Sequence, residues 1–222
     1  MKKSIFGAVV AAGAVAAGAA LLLKNKKPAE PQPVTTAEAL LTPQLQAQLA
    51  DHVAALVPDN GFAMVLSDDR GDLSRVMAQG CRMLFSADGS GAAAEPRAYW
   101  PENIIRADCD LQRLWLAANS LDLAVLVNVL QRFEDTTTVL TDLQRVLKTG
   151  AELVLATTVR TEAFSESAWT STMELLGIPA KQAWTAEELR SLLSDSGWEV
   201  LSEELLDGSF PMVIHRCRSV QA

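Results

Sequence analysis

Cysteine and histidine are scarce in this chain of 222 residues. Three cysteines (Cys81, Cys109, Cys217) stand far apart, and His52 and His215 are the only imidazoles. So few, so spaced, they imply no disulfide framework and no zinc-ligand pattern, and no metal is expected. Aromatic residues are also sparse at 5%, which with abundant Ala points to helices packed closely on another layer. Basic residues are outnumbered, 19 Lys and Arg against 27 Asp and Glu, for a net charge of −8. Five of those Lys lie in the first 27 residues, which hold no acid, so the rest carries 14 basic against 27 acidic residues, or −13. A body that acidic repels phosphate backbones, which argues against a nucleic-acid partner. Disorder of the whole is excluded too, because 49% of the residues are hydrophobic, enough for one domain core and an appendage.

The appendage is at the amino end. Ile5 to Leu23 is an uncharged run of 19 residues, with Lys2 and Lys3 before it and Lys24, Lys26 and Lys27 after it. As a helix it spans roughly 28 Å, close to the hydrocarbon thickness of a bilayer. A cleaved signal peptide is the alternative, but three Lys follow where a cleavage site is small and neutral, which favours an uncleaved anchor. The same Lys favour a cytoplasmic carboxyl side, against the opposing Lys2 and Lys3. Gly13 with Ala17 and Ala14 with Gly18 are pairs that permit close helix approach in lipid, although an Ala-rich span contains such pairs by chance. The expected organisation is an anchor with basic flanks over 1–27, a Pro-rich spacer over 28–36, a helical segment over 37–60 and the main domain over 61–222. In the helical segment Leu40, Leu41, Leu45, Leu49, Val53 and Leu56 recur at three- and four-residue steps, with Pro43 as a potential break.

After Gly61 the apolar runs are short: Phe62–Leu66, Arg82–Phe85, Asn103–Ile105, Leu121–Val127, Glu152–Thr157, Glu199–Leu206 and Met212–His215. Helix-like stretches fall between them at Leu73–Ala78, Thr137–Leu147 and Thr185–Ser194. This alternation predicts an α/β fold, a mainly parallel sheet with helices on both faces. The run LDLAVLV is continuous, as in a strand buried on both sides. The last two strands are separated only by a short turn around Asp207-Gly208-Ser209, so the final pairing is predicted antiparallel.

Three stretches carry a family resemblance. Asn119-Ser120-Leu121-Asp122, continuing to Asn128-Val129-Leu130, is similar to the "N-S-F-D" fourth strand of class I S-adenosylmethionine-dependent methyltransferases of the small-molecule type. Arg145-Val146-Leu147-Lys148-Thr149-Gly150-Ala151 resembles the "R-V-L-K-P-G-G" turn of that family, with a departure at Thr149 and Ala151. Thr185-Ala186-Glu187-Glu188-Leu189, with Ser196-Gly197-Trp198, resembles its late helix and strand. The resemblance covers residues 62–217 and implies a doubly wound, Rossmann-like sheet of seven strands with an antiparallel last strand. It also implies S-adenosylmethionine as cofactor, with Gly71, Asp88, Asp108 and Asn128 as binding residues. Asp88 would accept from the ribose hydroxyls and Asp108 would contact the adenine amino group. A solvated acid at a strand end is the alternative for each.

One element of the family pattern fails. The first loop, acid-x-Gly-x-Gly-x-Gly, lets backbone approach the cofactor closely, and the equivalent positions here are Val65, Ser67, Asp69 and Gly71. Only the last glycine survives, and Asp68 and Asp69 are placed to cap the following helix instead. Cofactor binding is therefore expected to be weak. Residues 160–183 occupy the region of the family's acceptor elements, with Trp169, Met173, Leu175, Leu176 and Trp184 as either plain core or an apolar acceptor wall. No His or Cys is placed as a general base, and no catalytic residue is assigned. The expected function is a membrane-anchored, non-catalytic or strongly divergent methyltransferase-like subunit of a membrane complex; the alternative is an active enzyme on a lipophilic small molecule. The expected location is the inner membrane, single-pass, with the domain in the cytoplasm.

Overall fold

Apolar spacing accounts for most elements of the domain. The computed structural model describes residues 43–57, 59–67, 72–88, 100–106, 110–176, 178–207 and 210–220. The chain divides into the units Met1–Val34 and Thr35–Ala222, and the described residues belong to the second. The expected span Ile5–Leu23, the spacer, Leu40, Leu41, Asp68, Asp69, Gly71, Asp108 and Cys109 lie outside the described residues. Among the described residues no helix is long and apolar enough to cross a membrane.

The helices are α1 (Pro43–Ala54), α2 (Asp72–Met77), α3 (Thr136–Val146), α4 (Glu166–Leu175) and α5 (Ala186–Asp195). The strands are β1 (Phe62–Ser67), β2 (Met83–Asp88), β3 (Ile104–Arg106), β4 (Leu121–Val127), β5 (Leu147–Thr158), β6 (Trp198–Leu206) and β7 (Met212–Ser219). Pro43 is the first residue of α1 rather than a break within it, where its missing N–H costs nothing. The seven strands form one sheet in the order β3-β2-β1-β4-β5-β7-β6. Neighbours from β3 to β5 are parallel, and β7 runs antiparallel to both β5 and β6. This is the seven-stranded, doubly wound sheet with an antiparallel last strand that the sequence predicts.

Two cores lie on opposite faces. α3, α5 and the leucines Leu111, Leu114 and Leu116 cover one; α1 and α2 cover the other with Leu49, Val53, Leu73 and Met77. β4 lies between them, and every residue of it except Asp122 is buried.

The family-like motifs turn out to be fold-making devices. Asn119 and Asn128 bracket β4 and both take φ of 53°, a left-handed conformation that Asn tolerates better than most residues. Ser120 donates from Oγ to the Ala117 carbonyl (2.7 Å). Asp122 accepts from Phe62 N–H (2.9 Å) and Lys148 Nζ (2.7 Å), joining the starts of β1, β4 and β5. Gly150 at φ 80° turns the chain where β5 bulges between Leu147 and Glu152, and a left-handed φ of that kind explains the glycine. Thr185 and Glu188 form a reciprocal capping box at the start of α5.

Candidate functional site

In an open α/β sheet, ligands bind beyond the carboxyl ends of the strands where the strand order reverses. Here the chain runs from β1 outward to β3, then returns to β4 on the other side of β1, so the crevice lies above β1 and β4. Three of the residues singled out from the sequence are brought to its floor. Ser67 ends β1, paired in register with Asp88 at the end of β2, and Asn128 follows the end of β4. Only the backbone of Asp88 is described. Gly71 and Asp108 fall outside the described residues, and β3 ends two residues before Asp108.

Asn128 is 4% exposed and bonded through both its backbone N–H and its side-chain oxygen. Its N–H donates to the Ala156 carbonyl (2.9 Å), and its Oδ1 accepts from Thr158 N–H (2.8 Å). The residue thereby fastens the tips of β4 and β5, an arrangement that its position in a motif does not disclose. Ser67 is 6% exposed and Val65 is 1% exposed, the latter inside the apolar core beneath α1 and α2. Val65 occupies the position at which the family pattern has its acid, and it is a core residue here. Ser74 Oγ and Ser86 Oγ share a buried hydrogen bond of 2.9 Å, so α2 approaches β2 through two small side chains.

The connection from β3 to β4 forms one wall. Leu114 and Leu116 are buried, while Trp115 between them is 56% exposed and meets Phe85 edge-on with centroids 5.4 Å apart. Beyond β5, Trp169, Met173, Ile178, Ala180 and Ala183 make a third apolar cluster against Phe210. Phe164, Trp169 and Phe210 form a run of edge-on contacts at 5.7 and 5.8 Å. Of the five residues read as core or acceptor wall, Trp169 and Met173 are core, Leu176 and Trp184 are partly buried, and Leu175 is 88% exposed. The helix α4 that carries three of them gives a weak sequence signal, because Trp169 and Met173 are its only buried residues.

The histidines stand elsewhere. His215 lies mid-strand in β7, fully buried, with Nε2 2.8 Å from Glu203 Oε2. Burial pushes the His215 imidazole below its ordinary value, and the Arg190 guanidinium holds Glu203 below the usual carboxylate range. His52 pairs with Glu204 at 2.9 Å, linking α1 to β6 beside a cleft of about 500 Å³ in the β5–β7–β6 half of the sheet. Burial pushes the Cys217 thiol up to about 12, which keeps it from serving as a thiolate. Among the described residues no group of His, Cys, Asp or Glu could hold a metal ion.

A sequence profile described as a methyltransferase domain matches residues 70–155. No curated protein sequence matches the chain. Among solved structures, the N-methyltransferase NodS from Bradyrhizobium japonicum WM9, in complex with S-adenosyl-L-homocysteine, matches with a TM-score of 0.62 at 18% identity, covering 87% of this chain and 94% of its own. An S-adenosylmethionine-dependent methyltransferase from Mesorhizobium loti matches with 0.62 at 19% identity, over 76% and 96%. The [4+2]-cyclase SpnF matches with 0.65 at 15% identity, over 79% and 81%. Strand order and structural likeness show that this domain has the fold of class I S-adenosylmethionine-dependent methyltransferases, and the methyltransferase-domain profile matches its residues 70–155.

Proposed function

We propose that this chain is a strongly divergent methyltransferase-fold protein, tethered to the membrane by Ile5–Leu23, whose role is structural rather than catalytic. The observation that carries the reading is the end of β1. Val65 is a core residue where the family pattern has an acid, and Ser67 carries a Cβ where it has a glycine. Without a carboxylate and a bare backbone there, the ammonium end of S-adenosylmethionine loses its holding group. The domain is an assembly subunit on the cytoplasmic side, and its −13 charge keeps it from anionic lipid headgroups and nucleic acid. Titration of the protein with S-adenosylmethionine tests this. A working site saturated at a hundred times its Kd gains about 2.7 kcal/mol, a melting shift of roughly 5–10 °C at about 2–4 °C per kcal/mol. The expected shift at millimolar cofactor is below about 1 °C, and a full-sized shift sinks the structural reading.

A second reading is favoured by a separate observation, the aromatic run Phe164–Trp169–Phe210 beyond β5. In this reading the cofactor binds, as S-adenosyl-L-homocysteine does in NodS, and the run faces a lipophilic acceptor drawn from the bilayer. Methyl transfer can proceed through alignment of nucleophile and sulfonium, so the lack of a histidine at the crevice does not oppose it. The likeness to a [4+2]-cyclase is a reminder that one fold hosts several reactions. Incubation with labelled S-adenosylmethionine and a membrane lipid extract separates the readings, since label appears in a lipophilic product only under the second.

A further inference from the structure

The β3–β4 connection is held more firmly than an ordinary surface loop. Arg145 of α3 donates to the carbonyls of Leu116 and Leu114, both at 2.8 Å, and Asp142 accepts from Leu114 N–H at 2.6 Å. The two clamping side chains brace one another, Arg145 Nε to Asp142 Oδ1 at 2.6 Å. The clamps fall on either side of Trp115, and both flanking leucines are buried in the core. The backbone is fixed and the indole is left outside. Behind it Met64, Phe85, Ser86, Ala87 and the two leucines line a slot of about 10 Å³, room for no more than one water.

We propose that Trp115 gates a stacking site for a planar, apolar aromatic ring. Turning about its own side-chain bonds on the clamped backbone, the indole opens the slot, and the ring inserts against Phe85 with Trp115 over it. The walls choose the ligand. Met64, Phe85, Ala87 and the leucines offer apolar contact, and the polar groups around them are already engaged. Ser86 Oγ is bonded to Ser74, its strand pairs on both sides, and the Leu114 N–H and the Leu114 and Leu116 carbonyls are held by α3. A purine would bring ring nitrogens that find no partner, at the cost of desolvating them. A carbocyclic aromatic ring brings none. No residue of this site belongs to the β1 loop, so the inference stands or falls apart from cofactor binding.

Calorimetric titration of the full-length protein with 2-naphthol, adenosine and cyclohexanol tests it. Saturable binding of 2-naphthol is expected, at least about tenfold tighter than cyclohexanol, which cannot stack, and than adenosine, whose ring nitrogens would be desolvated without partners. Trp115→Ala should weaken 2-naphthol by about tenfold or more, while Trp115→Phe, which keeps a ring, stays within a few-fold of the parent. Trp115 is exposed, so neither change threatens folding, and equal melting temperatures verify that. Unchanged binding in Trp115→Ala, absence of saturation in the parent, or adenosine binding as tightly as 2-naphthol would each overturn the proposal.

Discussion

Asn128 Oδ1 accepts the Thr158 N–H at 2.8 Å, thirty residues along the chain, and so closes the carboxyl ends of β4 and β5. The residue holds φ of 53° while doing so, and it is buried. Two requirements therefore meet at one position, a left-handed backbone and an acceptor for a buried N–H. Asparagine satisfies both.

Asn128→Ala should lose both features. The orphaned Thr158 N–H costs about 1–3 kcal/mol, and a left-handed alanine adds about 1–2 kcal/mol. Asn128→Gly restores the backbone freedom and should be the milder of the two. Urea midpoints at matched m-values measure the difference, and equal loss in both variants would mean that backbone conformation plays no part.

Loop repair should improve cofactor binding without the acid. Val65→Asp would set a carboxylate in the apolar core, a heavy penalty, so the informative variant is Ser67→Gly with Asp69→Gly. Its melting shift with millimolar S-adenosylmethionine should exceed that of the parent, reaching about 2 °C or more. No gain would mean that the crevice has lost the cofactor beyond the loop.

His215 should make the domain less stable in mild acid. Burial lowers its folded pKa beneath the ordinary 6.5, so the unfolded chain binds the proton first as pH falls below that value. Stability attributable to neutral His215 is therefore present above about pH 6.5 and is lost progressively below it. Glu203, also depressed, adds a loss of the same sign in a more acidic window, below the ordinary glutamate value of 4.5. Urea melts at pH 5.5 and 7.5 check this: the stability advantage of the parent over His215→Phe should shrink at the lower pH. An advantage that grows on acidification would reverse the sign.

Membrane topology should follow the Lys after the span. A periplasm-dependent reporter fused after Ala222 is expected to stay silent, while a cytoplasm-dependent one works. The opposite pattern would invert the anchor and remove the domain from any cytoplasmic cofactor.

Most strands were legible because their signal is local. LDLAVLV reads as doubly buried since neighbours on both sides demand it, and Thr185 with Glu188 announces the start of α5 through contacts three residues apart. β5 begins earlier than its apolar run, because the bulge around Gly150 lets the chain rejoin the sheet at Leu147, directly after α3. The helix α4 carries almost no sequence signal, since its two buried side chains leave little periodicity. The departure of the β1 loop from the family pattern is visible in the sequence, whereas the burial of Val65 follows only from the packed core.

The sequence by itself determined the succession of strands along the chain, the acidic charge, the scarcity of metal ligands and the loss of two glycines, all properties carried by near neighbours or by composition. Tertiary structure alone decided that β7 inserts between β5 and β6, that Asn128 reaches Thr158, that Glu203 meets both His215 and Arg190, and that Arg145 clamps the loop bearing Trp115. Each joins groups separated by a dozen to more than fifty residues, and which partners meet is settled only when the whole sheet buries its two faces at once.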